Sequence, residues 1–301
     1  MLPNFLIIGA QKAATTWLAK CLGEHPQIFM APAKEIHYFN HEFDRGIEWY
    51  KGYFSDYADQ KWIGEATPGY ISYPKTPGRI KEVLGSDVKF IATLRHPVDR
   101  AYSAYWHYVS RGDIPPEIDF LTAFYHGDQF DITRFGLHDR GAYAAHLERY
   151  FQHFPRENFL IFIYEEAMKD KAQMVHDCFT FLGADPQFRP ATLTERVNHS
   201  RDLKRFHNQA LALRENAART IHKLPPHVRE PILNFGRRAF EQFVYNRLPT
   251  KNDFVPLTPA LRQKLLGDFT DDIQQLEQLL GRDLSIWTQP VTAPEPQSVQ
   301  L

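Results

Sequence analysis

Short apolar runs alternate with helical stripes along the first half of this chain. Residues 5–8 are all apolar and are closed by Gly9, a run that suits a strand buried on both faces of a parallel sheet. Beyond a loop at 10–14, Trp17, Leu18, Cys21 and Leu22 recur at helical spacing, and Gly23 and Pro26 stop that helix. Residues 27–30 read as a second strand, so the opening segment is a βαβ unit that places this strand beside the first. Residues 62–66 and 88–94 read as further strands. Arg95 and His96 then lead into a helix with Pro97 in its first turn. Residues 159–164 form the strongest strand signal, between helical segments at 142–154 and 171–182.

Strands alternating with helices predict an α/β fold: three layers, with a central, mostly parallel sheet flanked by helices. The second half is more helical. Segments 203–213 and 229–243 are amphipathic. Thr258 and Pro259 start a helix whose stripe of Leu261, Leu265, Phe269, Ile273, Leu276 and Leu280 reads as a face docked on the core. No interdomain linker stands out. The expectation is one domain over 1–288 and a flexible, proline-containing tail over 289–301.

Composition narrows the function classes. The 301 residues carry 35 Lys plus Arg against 36 Asp plus Glu, a net charge of -1, which argues against a general nucleic-acid binder. It also argues against a broad basic face. Two cysteines, Cys21 and Cys178, make neither a disulfide scaffold nor a cysteine-type zinc site, so a reducing compartment is expected. The longest apolar run, 159–164, is far short of the roughly 20 residues that span a bilayer. No basic, signal-like region precedes residue 5. A soluble cytoplasmic protein is the expectation.

In an open parallel sheet, ligands bind beyond the carboxyl ends of the strands. The first strand delivers Lys12, Ala13, Ala14, Thr15 and Thr16 ahead of a helix. Free N–H groups, the helix dipole, a lysine and two hydroxyls make an anion cradle suited to phosphate, although an ordinary βα turn with a surface lysine has the same residues. A Walker A loop needs its lysine directly before the hydroxyl residue, whereas Lys12 precedes Thr15 by three. The strand at 88–94 ends in Arg95, where a magnesium site would want a carboxylate. These features favour anion binding without a metal. Ser103 and His107 share a helix face away from the stripe of Val98, Ala101, Tyr102, Tyr105 and Val109, and with Arg95 could line one wall of a pocket, although taken singly Arg95 reads as a salt-bridge arginine and His107 as a surface histidine. Glu35 follows the second strand and falls near the cradle, where a carboxylate suits proton transfer, although an exposed loop glutamate beside Lys34 has the same pattern. His37 and His41 are spaced as a metal pair but lack a third ligand, so no metal site is expected.

The segment from Phe5 through Gly9, Lys12 and Thr16 to Leu18 resembles the 5′-phosphosulfate loop of sulfotransferases that use 3′-phosphoadenosine 5′-phosphosulfate (PAPS). Residues 94–105, with Arg95 and Ser103, resemble their 3′-phosphate segment. Residues 34–40, 46–50 and 64–70 are similar to the heparan-sulfate branch, as are 141–166, and the chain's end to Trp287 is similar to soluble bacterial members. The resemblance implies a P-loop-like fold and in-line transfer of a sulfuryl group from PAPS to a hydroxyl or amine. It implies Lys12, Ala13, Ala14, Thr15 and Thr16 around the 5′-phosphate, and Arg95 and Ser103 on the 3′-phosphate. Glu35 would be the base, His107 an assisting acid/base, and Ser200 and Arg201 part of a late cofactor loop. Ala14 replaces the family's usual glycine but is small enough to be tolerated. Ala66 stands where some 3-O-sulfotransferases carry lysine, which turns the expected acceptor toward another glycan or a small molecule.

Two other classes compete. A P-loop nucleotide kinase would hydrolyse or transfer phosphate with magnesium and ATP. A non-catalytic binding protein of the same fold would hold the nucleotide and transfer nothing. The aromatic residues Tyr38, Phe39, Trp49, Tyr50, Tyr70, Tyr73, Trp106 and Tyr108 could form an acceptor platform or simply pack a core, and they leave glycan, lipid headgroup, phenol and small metabolite open. Oligomeric state is not encoded in these motifs.

Overall fold

The computed structural model describes residues 1–115, 117–130, 135–194 and 257–289. These residues fall into two compact units, the first built from 1–101, 136–194 and 257–289 and the second from 102–115, 117–130 and 135. The helices expected at 203–213 and 229–243, and the tail beyond 289, lie outside the described residues.

The first unit holds a five-stranded sheet in the order β2-β3-β1-β4-β5. Its strands are β1 (Phe5–Gly9), β2 (Ile28–Met30), β3 (Trp62–Ala66), β4 (Lys89–Leu94) and β5 (Phe159–Ile163), and every pairing is parallel. All five residues of β1 are buried, as a central strand covered on both faces requires. The pairing corrects one expectation: β2 does not lie beside β1, because β3 sits between them. The crossover through α1 (Thr15–Gly23) leaves a gap one strand wide, which β3 fills, with Phe5 opposite Gly64 and Met30 also paired with Gly64.

Alternation along the strands divides two cores. On one face Phe5, Ile7 and Ile91 pack with Trp17, Leu18, Cys21 and Leu22 of α1 and with Met174, Val175, Cys178 and Phe179 of α8 (Lys171–Leu182). On the other, the Phe90 ring stacks on Phe159 and meets Tyr150 of α6 (Tyr143–Phe151) edge-on. The C-terminal stripe is broken rather than continuous. Pro259–Leu266 and Thr270–Leu280 are separate helices joined by a tight turn at Gly267–Phe269. Leu265, Phe269, Ile273 and Leu276 are buried, while Leu261 and Leu280 are only half-buried. Glycine's weak helix preference accounts for the break.

Two further helices were not evident as patterns: α3 (Thr76–Leu84), which has Pro77 in its first turn, and α5 (Phe120–Tyr125), capped by Asp119, whose carboxylate accepts from the Leu121 and Thr122 N–H groups. Helix α4 (Pro97–Arg111) starts in the first unit and continues into the second. There Tyr102, Ser103, Ala104, Tyr105 and Tyr108 are all buried. Among the described residues no helix is long and apolar enough to cross a membrane.

Gly64 tests the fit of β3 into its gap. A Cβ at this position would overlap the Phe5 ring of the paired strand. Gly64→Ala is expected to destabilise the protein by about 1–3 kcal/mol, read as a lower thermal unfolding midpoint by circular dichroism.

Candidate active site

The loop after β1 is tied down from both sides. The Ala10 N–H donates to the Thr93 carbonyl of β4 at 2.8 Å, and the Thr67 and Ile71 N–H groups donate back to Ile7 and Ile8 at 3.1 and 2.9 Å. Within the loop Lys12 and Ala14 both take left-handed backbone conformations, with φ of 68° and 63°. Left-handed residues close together turn successive N–H groups inward and create an anion-binding concavity. Ala14 is also the N-cap of α1 and offers no side-chain oxygen. The first N–H groups of that helix therefore need an outside acceptor, and an anion in the loop would supply one. Thr15 is buried and Thr16 half-buried directly behind.

Arg95 comes to this loop from the end of β4. Its Nη1 donates to the Lys12 carbonyl at 2.9 Å, and its guanidinium lies 4.9 Å from the centre of the Tyr164 ring. The backbone there is clamped twice. The Tyr143 hydroxyl donates to the Arg95 carbonyl at 2.8 Å, and the His96 N–H donates to Glu165 at 2.9 Å. Burial first, then the charges of Arg95 and Lys34, push the Lys12 ammonium down to about 8, against the opposing pull of Glu35. A lysine depressed by burial and by neighbouring cations marks a site suited to an anion.

Glu35 arrives from β2 by crossing the end of β3, not from a neighbouring strand. Its N–H donates to the Ala66 carbonyl at 3.0 Å, and its own φ is 62°. The carboxylate accepts from Lys34 Nζ at 2.7 Å and stands 3.7 Å from His37 Nε2. Burial would raise its pKa, but the nearby His37 imidazole and the Lys34 ammonium outweigh it and hold the group down at about 2. The side chain is still 43% exposed, so water screens these contacts and they carry little stability.

Beneath Glu35 lies a buried carboxylate outside the residues that the motifs single out. Glu65, 1% exposed on β3, accepts from the hydroxyls of Tyr50, Tyr70 and Thr67 at 2.7, 2.8 and 2.8 Å. Thr67 Oγ1 in turn accepts from the His37 N–H at 3.4 Å. Burial raises the Glu65 pKa, and its three hydroxyl donors pull the other way. The signal in the sequence was a lone acidic residue between Gly64 and Ala66 in an otherwise apolar strand.

The structure thus brings Lys12, Ala13, Ala14, Thr15, Thr16, Arg95 and Glu35 to the carboxyl ends of three strands in the first unit. Ser103 and His107 lie farther along α4, in the second unit, where Ser103 is buried and His107 half-buried. Ser200 and Arg201 lie outside the described residues. His37 and His41 have ring centroids 5.4 Å apart, and the His37 ring engages Asn40 rather than standing open.

A family model described as a sulfotransferase domain matches residues 2–220. The chain is 34% identical over 181 residues to the heparan sulfate glucosamine 3-O-sulfotransferase 6 of Mus musculus, covering 60% of this chain and 52% of that one. It is 45% identical over 121 residues to the membrane-associated sulfotransferase kil1 of Dictyostelium discoideum, covering 38% and 26%. The chain therefore spans about half, or less, of the curated relatives it matches. The crystal structure of a sulfotransferase from Alicyclobacillus acidocaldarius superposes with a TM-score of 0.70 at 26% identity, covering 96% of this chain and all of that one.

Two substitutions probe the loop. Ala14→Gly should relieve the left-handed strain and raise stability by about 1 kcal/mol, read as a higher unfolding midpoint. Lys12→Met should stabilise the ligand-free protein by about 1–2 kcal/mol near neutral pH. Because folding lowers the Lys12 pKa, the charged lysine costs stability below about 8, and the cost disappears as pH rises toward the ordinary 10.5. The advantage of Lys12→Met in denaturant titrations should therefore be full below pH 8 and fade above it.

Proposed function

The chain belongs to the sulfotransferase family, and from that membership we propose that it transfers a sulfuryl group from PAPS to a hydroxyl or amine of a glycan or small-molecule acceptor. One observation carries the reading: Arg95 and Lys12, from different strand ends, meet across a 2.9 Å hydrogen bond at a loop whose N–H groups turn inward. A nucleotide with phosphate groups at both ends of its ribose fits that pair of cations, with Ser103, Ser200 and Arg201 as further contacts.

The acceptor oxygen or nitrogen forms its bond to sulfur as the bond from sulfur to the bridging phosphate oxygen breaks. Glu35 takes the acceptor proton. Lys12 and the N–H groups ahead of α1 neutralise the charge that grows on the departing phosphate oxygen, an electrostatic contribution of about 3 kcal/mol for one preorganised donor. In the free site Glu35, at about 2, is a weak base. An anionic nucleotide beside it competes for Lys34 and raises its proton affinity, so base strength comes with nucleotide binding. His107 is the assisting acid/base.

Arg95 at the end of β4, in place of an acidic residue, disfavours the nucleotide-kinase reading. Lys12 is also three residues from Thr15 rather than adjacent to a hydroxyl residue. A non-catalytic binder would hold nucleotide without turnover.

Labelled PAPS with a panel of acceptors tests the proposal. Lys12→Ala should lower transfer by about 100-fold or more. Glu35→Gln should lower turnover by about 100-fold while adenosine 3′,5′-bisphosphate still binds in calorimetry. Full turnover in Glu35→Gln would remove Glu35 as the base and make His107 the next candidate.

A further inference from the structure

The segment from 257 to 289 lies beyond the residues matched by the family model, yet its polar contacts converge on the Arg95 anchor. Trp287 is fully buried, and its indole N–H donates to Glu165 Oε2 at 2.7 Å. The other oxygen of that carboxylate accepts the His96 N–H at 2.9 Å. The Trp287 ring also lies 5.9 Å from Tyr143, whose hydroxyl holds the Arg95 carbonyl. From the helix Pro259–Leu266, Arg262 makes a two-pronged contact to Asp99 in the first turn of α4, at 2.9 and 3.1 Å. From the helix Thr270–Leu280, Asp272 accepts from the Ala144 N–H at 3.1 Å, at the start of α6 beside Tyr143.

These contacts share a target. β4 ends at Leu94 and α4 begins at Pro97, so Arg95 and His96 form a joint between two elements. A guanidinium on a long side chain is placed only as well as the backbone beneath it. Glu165 reaches that backbone through rotatable bonds, and a buried indole donor on its second oxygen fixes where it sits.

We propose that the C-terminal segment is a latch on the Arg95 joint, with Trp287 and Arg262 as positioning residues that set affinity for the 3′-phosphate of the nucleotide. This rests on the PAPS reading above. Because Trp287 and Arg262 act through the backbone at 95–99, their loss weakens recognition of the 3′-phosphate, while the 5′-phosphate loop keeps the Ala10, Thr67 and Ile71 N–H bonds that tie it to the sheet end.

The test uses the full chain with Trp287→Phe, which keeps a ring but removes the donor, and Arg262→Met as the second variant should the first fail to fold. Adenosine 3′,5′-bisphosphate and adenosine 5′-monophosphate are titrated by calorimetry. The bisphosphate Kd should rise by about 5–10-fold, with the monophosphate Kd unchanged and kcat at saturating PAPS nearly unchanged. Hydrogen exchange should speed up in the peptide containing His96. Equal weakening of both nucleotides would show a merely structural role and overturn the latch, as would unchanged bisphosphate affinity. If the wild-type protein does not prefer the bisphosphate, the PAPS reading fails instead. Hydrogen exchange then decides the latch alone: faster exchange at His96 in Trp287→Phe supports it, and unchanged exchange overturns it.

Discussion

Everything at the candidate site depends on holding two cations together before any anion arrives. The hydrogen bond from Arg95 to the Lys12 carbonyl does this through a backbone dipole rather than a carboxylate. A carboxylate between them would cancel the field that a phosphate needs. The carbonyl orients Arg95 and leaves both charges available. The depressed Lys12 pKa is the cost of that choice, and burial with Arg95 and Lys34 nearby is its cause.

The backbone around this pair is strained in a concentrated way. Lys12, Ala14, Glu35 and His37 are the described non-glycine residues with left-handed φ, and all four belong to the two site loops. Such residues persist only where surroundings over-determine them. Here the surroundings are the sheet ends and the buried Glu65, whose three hydroxyl donors fix Tyr50, Tyr70 and Thr67 beneath the Glu35 loop. An acidic residue near the end of an apolar strand is thus a support for the site rather than part of its surface.

Much of this was legible in the linear chain. The strands at 5–9 and 159–163 follow from uninterrupted apolar runs, and the helix Lys171–Leu182 from its periodicity. Lys12 and Arg95 could be placed at strand ends because a parallel sheet presents those ends to one side. Other features were hidden because their cause is non-local. The insertion of β3 between β2 and β1 depends on Phe5 needing a glycine opposite it. The break at Gly267 interrupts a stripe whose apolar spacing reads as continuous.

The sequence by itself determined the α/β class, the chemical inventory of the site and the family, since each depends on local periodicity or on residues within short motifs. Tertiary structure alone decided how the net charge of -1 is arranged. Lys12, Lys34 and Arg95 gather at the strand ends, while Glu35 is tied to Lys34 and Glu65 is buried among hydroxyls. It alone also tied Trp287 to Glu165, 122 residues away in the chain. Charge sums and spacing carry no information about which side chains meet, because that is set by how the strands are ordered and how the last helices pack.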